Sequence, residues 1–540
     1  MTTLTRNSSH LPLITTPEPS YDASPPSSPR QLPATSSSPK SDHNTTTLLV
    51  LTAGLSGLLF GYDTGIISST LLHLPASFPL TTLSKSLITS STSLFALLAS
   101  PLSSPLSDTL GRRPVILLSC LLFVLGAALQ ALAWNVAVMV AGRSVVGLAV
   151  GAASTTVPMY IGEIAPAEKR GRMVTVQSLF ITGGQVVAYL VGWGTETQWR
   201  VAVGLGAVPA LAQVGLMGWL VESPRFLVMR GREAEAGSVL GRLEGVQAVE
   251  EVVGRIREEV EMMGKGGTRG AARELWRVGG NRRALVIACL LQGLQQLCGF
   301  NVLMYFSATI FDLVGFSSPV MTSLSIAITN FLFTLAAFSL IDSIGRRRIL
   351  LISIPFMFIG LALCAICFVY LPQDQNTHAG KAETLRLLLF KRESHARTLE
   401  GWSLSVLPMA LLLSLILYVA AYALGLGCVP WQQSELFPLQ VRSLGSGLAT
   451  ATNWSSNFLV GITFLPMMEA LGSGTTFAVY AVICFLGWFL VYNFYPETAG
   501  LELEDVGQLL ADGWGVKNSM RPGRADGHVI VPQEDPDAER

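Results

Sequence analysis

Apolar runs of membrane-crossing length alternate with short polar turns along most of this chain. They fall at roughly 48–72, 86–106, 114–133, 136–161, 174–194 and 200–221, then again near 284–312, 319–341, 349–371, 404–434, 445–468 and 475–495. A helix needs about 20 apolar residues to cross a hydrocarbon core, and these runs meet that length. The pattern predicts an all-α polytopic membrane protein with twelve transmembrane helices in two sets of six. Between the sets, Glu222 to Arg283 is charged. Within it, Glu233 to Met263 mixes acids and bases with Leu and Val at helical spacing, which predicts short amphipathic helices. Gly264-Lys265-Gly266-Gly267 reads as a flexible breaker there.

The two sets repeat each other. Ser107-Asp108-Thr109-Leu110-Gly111-Arg112-Arg113 returns as Ile341-Asp342-Ser343-Ile344-Gly345-Arg346-Arg347. Glu163 and Arg170 are seven residues apart, as are Glu435 and Arg442. Glu222-Ser223-Pro224-Arg225 returns loosely as Pro496-Glu497-Thr498. The stretch from Asp108 to Glu163 is 55 residues and that from Asp342 to Glu435 is 93, so the second half carries an insertion, placed at 372–402. A duplicated six-helix unit is a transporter architecture, with its solute between the halves near midplane. The expected domains are an N-terminal bundle at 46–221, a linker at 222–281 and a C-terminal bundle at 282–495, flanked by tails at 1–45 and 496–540.

Short loops rich in Arg and Lys mark the cytosolic side. Arg112-Arg113, Lys169 to Arg172, Arg346 to Arg348, Arg442 and the linker all fall on one side, which places both tails in the cytosol. The external insertion conflicts, with Lys381, Arg386, Lys391, Arg392 and Arg397, but long loops follow the rule poorly.

Composition agrees with a membrane protein: 50% hydrophobic and 13% charged, against about 25% charged in soluble domains. The formal net charge of +0 gives no pointer to nucleic acid. No secretory signal is legible, and the Ser-, Thr- and Pro-rich residues 1–45 are expected to be disordered. The sequons at Asn7 and Asn44 are discounted because the topology puts them in the cytosol. Cys364 and Cys367 have redox spacing but sit inside an apolar run, where they read as small packing residues.

One residue breaks the apolar pattern. Asp63, in Gly61-Tyr62-Asp63-Thr64-Gly65, lies inside the first run, where an ionised side chain costs several kcal/mol by most estimates. Such a charge faces a watery cavity or a partner and marks an ion or solute path.

Together the motifs resemble the sugar porter branch of the major facilitator superfamily over roughly 46–505. They are GYDTG at 61–65, DxxGRR at 108–113 and 342–347, GR at 142–143, PMYIGEIAPAEKRGR at 158–172, VESPR at 221–225, QQLCGFN at 295–301 and PETAGLELEDV at 496–506. LFITGGQVVAYLVGW at 179–193, PWQQSELFPLQVRSLGSGLATATNW at 430–454 and FLPMME at 464–469 are similar to fungal myo-inositol transporters. The chain departs from the family pattern at Ser104, Cys428 and Ala499, where Gly, Asn and Lys are usual.

The resemblance implies site residues. Asp63 is a proton acceptor with Arg143 as its partner, or else the two form a static ion pair between helices one and four. Gln185, Gln295, Gln296, Asn301, Asn330 and Asn453 match sugar-binding positions; amides suit a polyol because each both donates and accepts. A bend in the seventh helix would help Gln295, Gln296 and Asn301 share one side. Interhelical hydrogen bonding is the other use of such amides. Tyr305, Trp431 and Trp454 fit the role of rings covering apolar sugar faces, with core packing as the alternative. Asp108, Arg112, Glu163, Arg170, Asp342, Arg346, Glu435 and Arg442 are expected to pair across the two halves as a cytosolic gate, closing the inner face in the outward-open state and breaking on inward opening.

These readings imply proton-coupled import of a polyol or sugar, with myo-inositol foremost, by alternating access. The partners are the solute, a proton and the lipid bilayer; no cofactor or metal is implied. The rivals are a facilitative hexose carrier and a nutrient receptor on the same fold. No nucleophile, metal cluster or phosphate loop suggests an enzyme.

Overall fold

A computed structural model describes residues 43–164, 170–195, 197–244, 249–371, 406–499, 501, 503–511 and 513–519. The first half contains α1 His43–His73, α2 Thr82–Leu110, α3 Arg112–Ala131, α4 Val136–Ile164 and α5 Arg170–Thr195, then a sixth span in two pieces, α6 Trp199–Gly204 and α7 Ala207–Met217. The linker forms α8 Pro224–Met229, α9 Glu233–Glu244 and α10 Val249–Arg277. The second half begins with α11 Gly279–Leu297 and α12 Phe300–Val314, which share one span, followed by α13 Pro319–Ile344, α14 Arg346–Tyr370 and α15 Val406–Leu424. The short α16 Val429–Gln432 leads to α17 Leu439–Leu471 and α18 Ser473–Phe494, and α19 Leu503–Ala511 and α20 Val516–Ser519 complete the order.

Among the described residues, eleven segments are long and apolar enough to cross a membrane. The remaining span is α17, whose first half reads Leu439 to Asn457 with Ser, Thr and Asn at many positions. It is polar because it lines the space between the halves, so its apolar signal is the weakest of the twelve.

Three expectations change. The run at 284–312 is two helices rather than one, joined at Gly299, whose φ of +89° only glycine adopts without strain. The last part of the 404–434 run breaks into short helical turns between Leu426 and Leu436. The linker's third helix is not short: α10 has 29 residues and continues through Gly264 to Gly267, the expected breaker.

Helices within a half approach closely where small residues remove the side-chain spacer. A Cβ at Gly57 would strike the Gln177 carbonyl and one at Gly61 the Ile181 carbonyl, so α1 lies directly on α5. Gly147 and Gly151 bring α4 onto α2 in the same way. Between halves, α2 meets α17, α5 meets α13 and α1 meets α12.

The apolar cores show where the halves join. One cluster runs from Ile67, Leu71, Ile88, Tyr189 and Trp199 of the first half into Met304, Phe306 and Phe311 of the second. These first-half residues lie towards the ends expected to face outward. The cluster at the opposite end, around Leu49, Ile116, Tyr160 and Leu220, contains first-half and linker residues. The halves are therefore closed against each other on the side expected to face outward.

Candidate functional site

The Asp63 carboxylate and the Arg143 guanidinium meet at 2.5 Å (Oδ1 to Nη1), with both side chains buried. Arg143 also donates from Nε to the Ile88 carbonyl at 3.1 Å, and the Thr92 hydroxyl donates to the Arg143 carbonyl at 3.2 Å. Helices α1, α2 and α4 thus converge on one neutral charge pair. Burying both charges is costly, and removing either partner leaves the other uncompensated.

The amides form a connected set on α11, α12 and α17. Asn453 donates from Nδ2 to Gln295 Oε1 and Gln292 Oε1, each at 2.7 Å, and accepts from Gln296 Nε2 at 3.2 Å. Asn301 Nδ2 donates to Gln296 Oε1 at 2.6 Å. Gln295 is held in turn by the Leu426 carbonyl at 2.9 Å. The break at Gly299 lets Asn301, on a new helix, reach back to Gln296 on the old one. Asn330 donates to Gln185 Oε1 at 2.9 Å, which bridges α13 and α5 across the halves. Trp454 packs edge-on against Phe60 of α1, with centroids 5.6 Å apart, also across the halves. Tyr305 accepts from Asn457 Nδ2 at 3.2 Å. The side chain of Trp431 lies outside the described residues; its backbone belongs to α16.

Three amides join this set that the motifs did not single out as site residues. Gln292 stands three residues before Gln295 and four before Gln296, on the same helical face, and that spacing was legible. Gln433 hydrogen-bonds Gln292 and donates to the Ser446 carbonyl at 2.7 Å. Asn457, 1% exposed, is one turn beyond Asn453. With directional donors and acceptors paired to one another, a polyol hydroxyl can exchange for an amide partner; among these amides Asn457 Oδ1 is buried without a partner among the described residues.

With the halves joined at the opposite end, the arrangement in which the gate pairs are expected to be broken, the described cytosolic motifs pair within a half. Arg112 pairs with Asp108 at 3.0 Å and Glu163 at 2.8 Å, all within the first half rather than across the halves. Glu163 also accepts from the Ser223 hydroxyl. The Glu222 carboxylate accepts the backbone N–H of Arg112 at 3.0 Å and of Arg113 at 3.3 Å, capping α3. Glu497 repeats this at α14, accepting from the N–H of Arg346 at 2.8 Å and of Arg347 at 3.1 Å. The positive end of each helix dipole explains why an acid sits there. A Cβ on Gly111 would stand 2.5 Å from Glu222 Oε2, and one on Gly345 2.6 Å from Glu497 Oε2, so the glycine of each DxxGRR motif makes room for its cap. Arg442 Nε donates to the Phe437 carbonyl at 3.2 Å. The side chains of Arg170, Asp342 and Glu435 lie outside the described residues.

Residues 49–510 match the family described as "Sugar (and other) transporter". The chain belongs to that family. This sugar transporter is 42% identical over 486 residues to myo-inositol transporter 1 of Cryptococcus neoformans, covering 88% of this chain and 82% of the relative. It is 41% identical over 499 residues to myo-inositol transporter 2 of Schizosaccharomyces pombe, with 89% and 85% covered. Among solved structures, the E. coli proton:xylose symporter XylE bound to 6-bromo-6-deoxy-D-glucose is similar at a TM-score of 0.68 and 26% identity, covering 87% of this chain and 100% of that one. A partially occluded inward-open form of XylE is similar at 0.68 and 25% identity, with 84% and 99% covered. The family assignment and the multi-pass, non-enzymatic character expected from the motifs stand on these matches.

Proposed function

We propose that this protein imports myo-inositol together with a proton across the plasma membrane. The observation that carries this reading is the pairing of two unlike polar sites between apolar halves: a buried Asp63–Arg143 ion pair and a linked amide pocket on α11, α12 and α17. The names of the 40–42% identical fungal relatives support inositol as the solute, and the symporter XylE supports a proton as the co-substrate.

With the outer face open, the solute enters and its hydroxyls exchange for the mutual bonds of Gln185, Gln295, Gln296, Asn301, Asn330 and Asn453. Trp431, Trp454 and Tyr305 cover its apolar C–H faces. A proton from outside neutralises Asp63 and releases Arg143 from the charge pair. Closure of the outer face and opening of the inner face deliver the solute, and Asp63 returns its proton to the cytosol. The cytosolic set of Asp108, Arg112, Glu163, Arg170, Asp342, Arg346, Glu435 and Arg442 holds the inner ends of the helices and rearranges as they part.

Uptake of labelled myo-inositol, glucose and xylose into transport-deficient cells, with and without a protonophore, tests this. Uphill inositol accumulation that collapses with the protonophore is expected. Uptake that only equilibrates makes the protein a facilitator, glucose without inositol overturns the solute, and binding without flux indicates a receptor.

A further inference from the structure

The outer half of α2 is unusually rich in hydroxyls, and several return their proton to the preceding turn of the helix. Thr89 Oγ1 does so to the Ser86 carbonyl at 2.9 Å, and Ser91 Oγ to that of Ile88 at 3.2 Å. Ser86 and Ser90 break this habit: neither Oγ has a partner among the described residues, although the residues are 0% and 1% exposed. Ser90 faces α17, because a Cβ on Gly461 would lie 3.4 Å from Ser90 Cβ. One turn before Gly461 stands Asn457, which donates to the Tyr305 hydroxyl through Nδ2. Its Oδ1 is also buried and also has no partner among the described residues.

An unpaired hydroxyl on the first half and an unpaired amide carbonyl on the second therefore flank one seam, α2 against α17. Buried polar groups are rarely left dry, and ordered water is the usual remedy when a site has polar walls.

We propose that an ordered water occupies the α2–α17 seam and bridges the two halves. The Ser90 hydroxyl donates to the water oxygen, and the water donates to Asn457 Oδ1. The bridge pins α2 to α17 in the closed arrangement. It is a site for water at the edge of the amide set, which it touches through Asn457. It rests on the transport reading only for which movement it resists.

The test uses the full chain in lipid nanodiscs, with no solute and no proton gradient. Radiolytic hydroxyl-radical labelling reads water held beside a buried side chain. Tyr305 should label in the wild type despite its burial and label at least two-fold less in Ser90→Val, whose methyls fill the seam. Independently, a Leu71→Cys reporter under the outer closure should react with an impermeant maleimide roughly two- to ten-fold faster when Ser90→Ala is added, the worth of one buried hydrogen bond. Ser90→Thr should keep the parent rate. An unlabelled wild-type Tyr305, or equal reporter rates with and without Ser90→Ala, overturns the bridge. Neither readout depends on inositol or proton coupling, so failure of the symport reading leaves this test intact.

Discussion

At the scale of single residues, the decisive feature is that Asp63 and Arg143 neutralise each other in an apolar interior. Substituting one or the other should have different consequences. Asp63→Asn removes the charge but keeps the shape and a hydrogen-bonding oxygen, so uphill accumulation should vanish while solute exchange across the membrane persists. Unchanged accumulation would reduce the pair to a static tie between α1 and α4. Arg143→Leu instead leaves a buried carboxylate without its partner, a loss of about 3–5 kcal/mol. That variant should therefore show a lower Tm in detergent as well as lost uptake; Asp63→Asn, which leaves the buried Arg143 guanidinium only a neutral oxygen to donate to, should lower the Tm as well.

At the scale of elements, the break at Gly299 determines whether the amides act together. A continuous helix would carry Asn301 past Gln296 on its own rotation; the left-handed residue resets the direction and lets the two bond at 2.6 Å. Gly299→Ala should cost roughly 1–2 kcal/mol from backbone conformation alone. It also presses a methyl against Tyr480, whose nearest ring atom would be 3.0 Å away. The expected result is weaker solute affinity, measured by binding to purified protein. An unchanged affinity would mean that the amide pairing does not define the pocket. The repeated acid caps show a related economy. Glu222 and Glu497 each hold the start of an arginine-rich helix, so the duplicated motifs stiffen the cytosolic ends within each half before any contact between halves is made.

At the scale of the whole molecule, the side expected to face outward is the closed one. The hydroxyls of Ser68 on α1 and Ser307 on α12 lie 3.1 Å apart, and Tyr189 of α5 donates to the Met304 carbonyl at 2.6 Å. A Ser68→Cys, Ser307→Cys double variant should oxidise to a disulfide that holds this closure. Uptake should stop on oxidation and return with reductant, while each single variant transports under both conditions. Transport by the oxidised, cross-linked protein would show that the outer ends need not part.

What the chain determined by itself and what folding decided divide along a physical line. Length and polarity of a segment are local properties, so spans, the internal repeat and the buried carboxylate were legible from residue order. The linear pattern was weakest where function needs polarity inside a span, as in α17, and where a single dihedral breaks a helix, as at Gly299. Partners are not local. That Glu222 caps α3, that Arg112 turns to Glu163 within its own half, and that Gln292 and Asn457 join the polar interior depend on which helices glycine contacts bring together. Only the tertiary structure could decide them, because a hydrogen bond is fixed by distance and direction in space, and residues such as Arg112 and Glu163 are 51 positions apart in the chain.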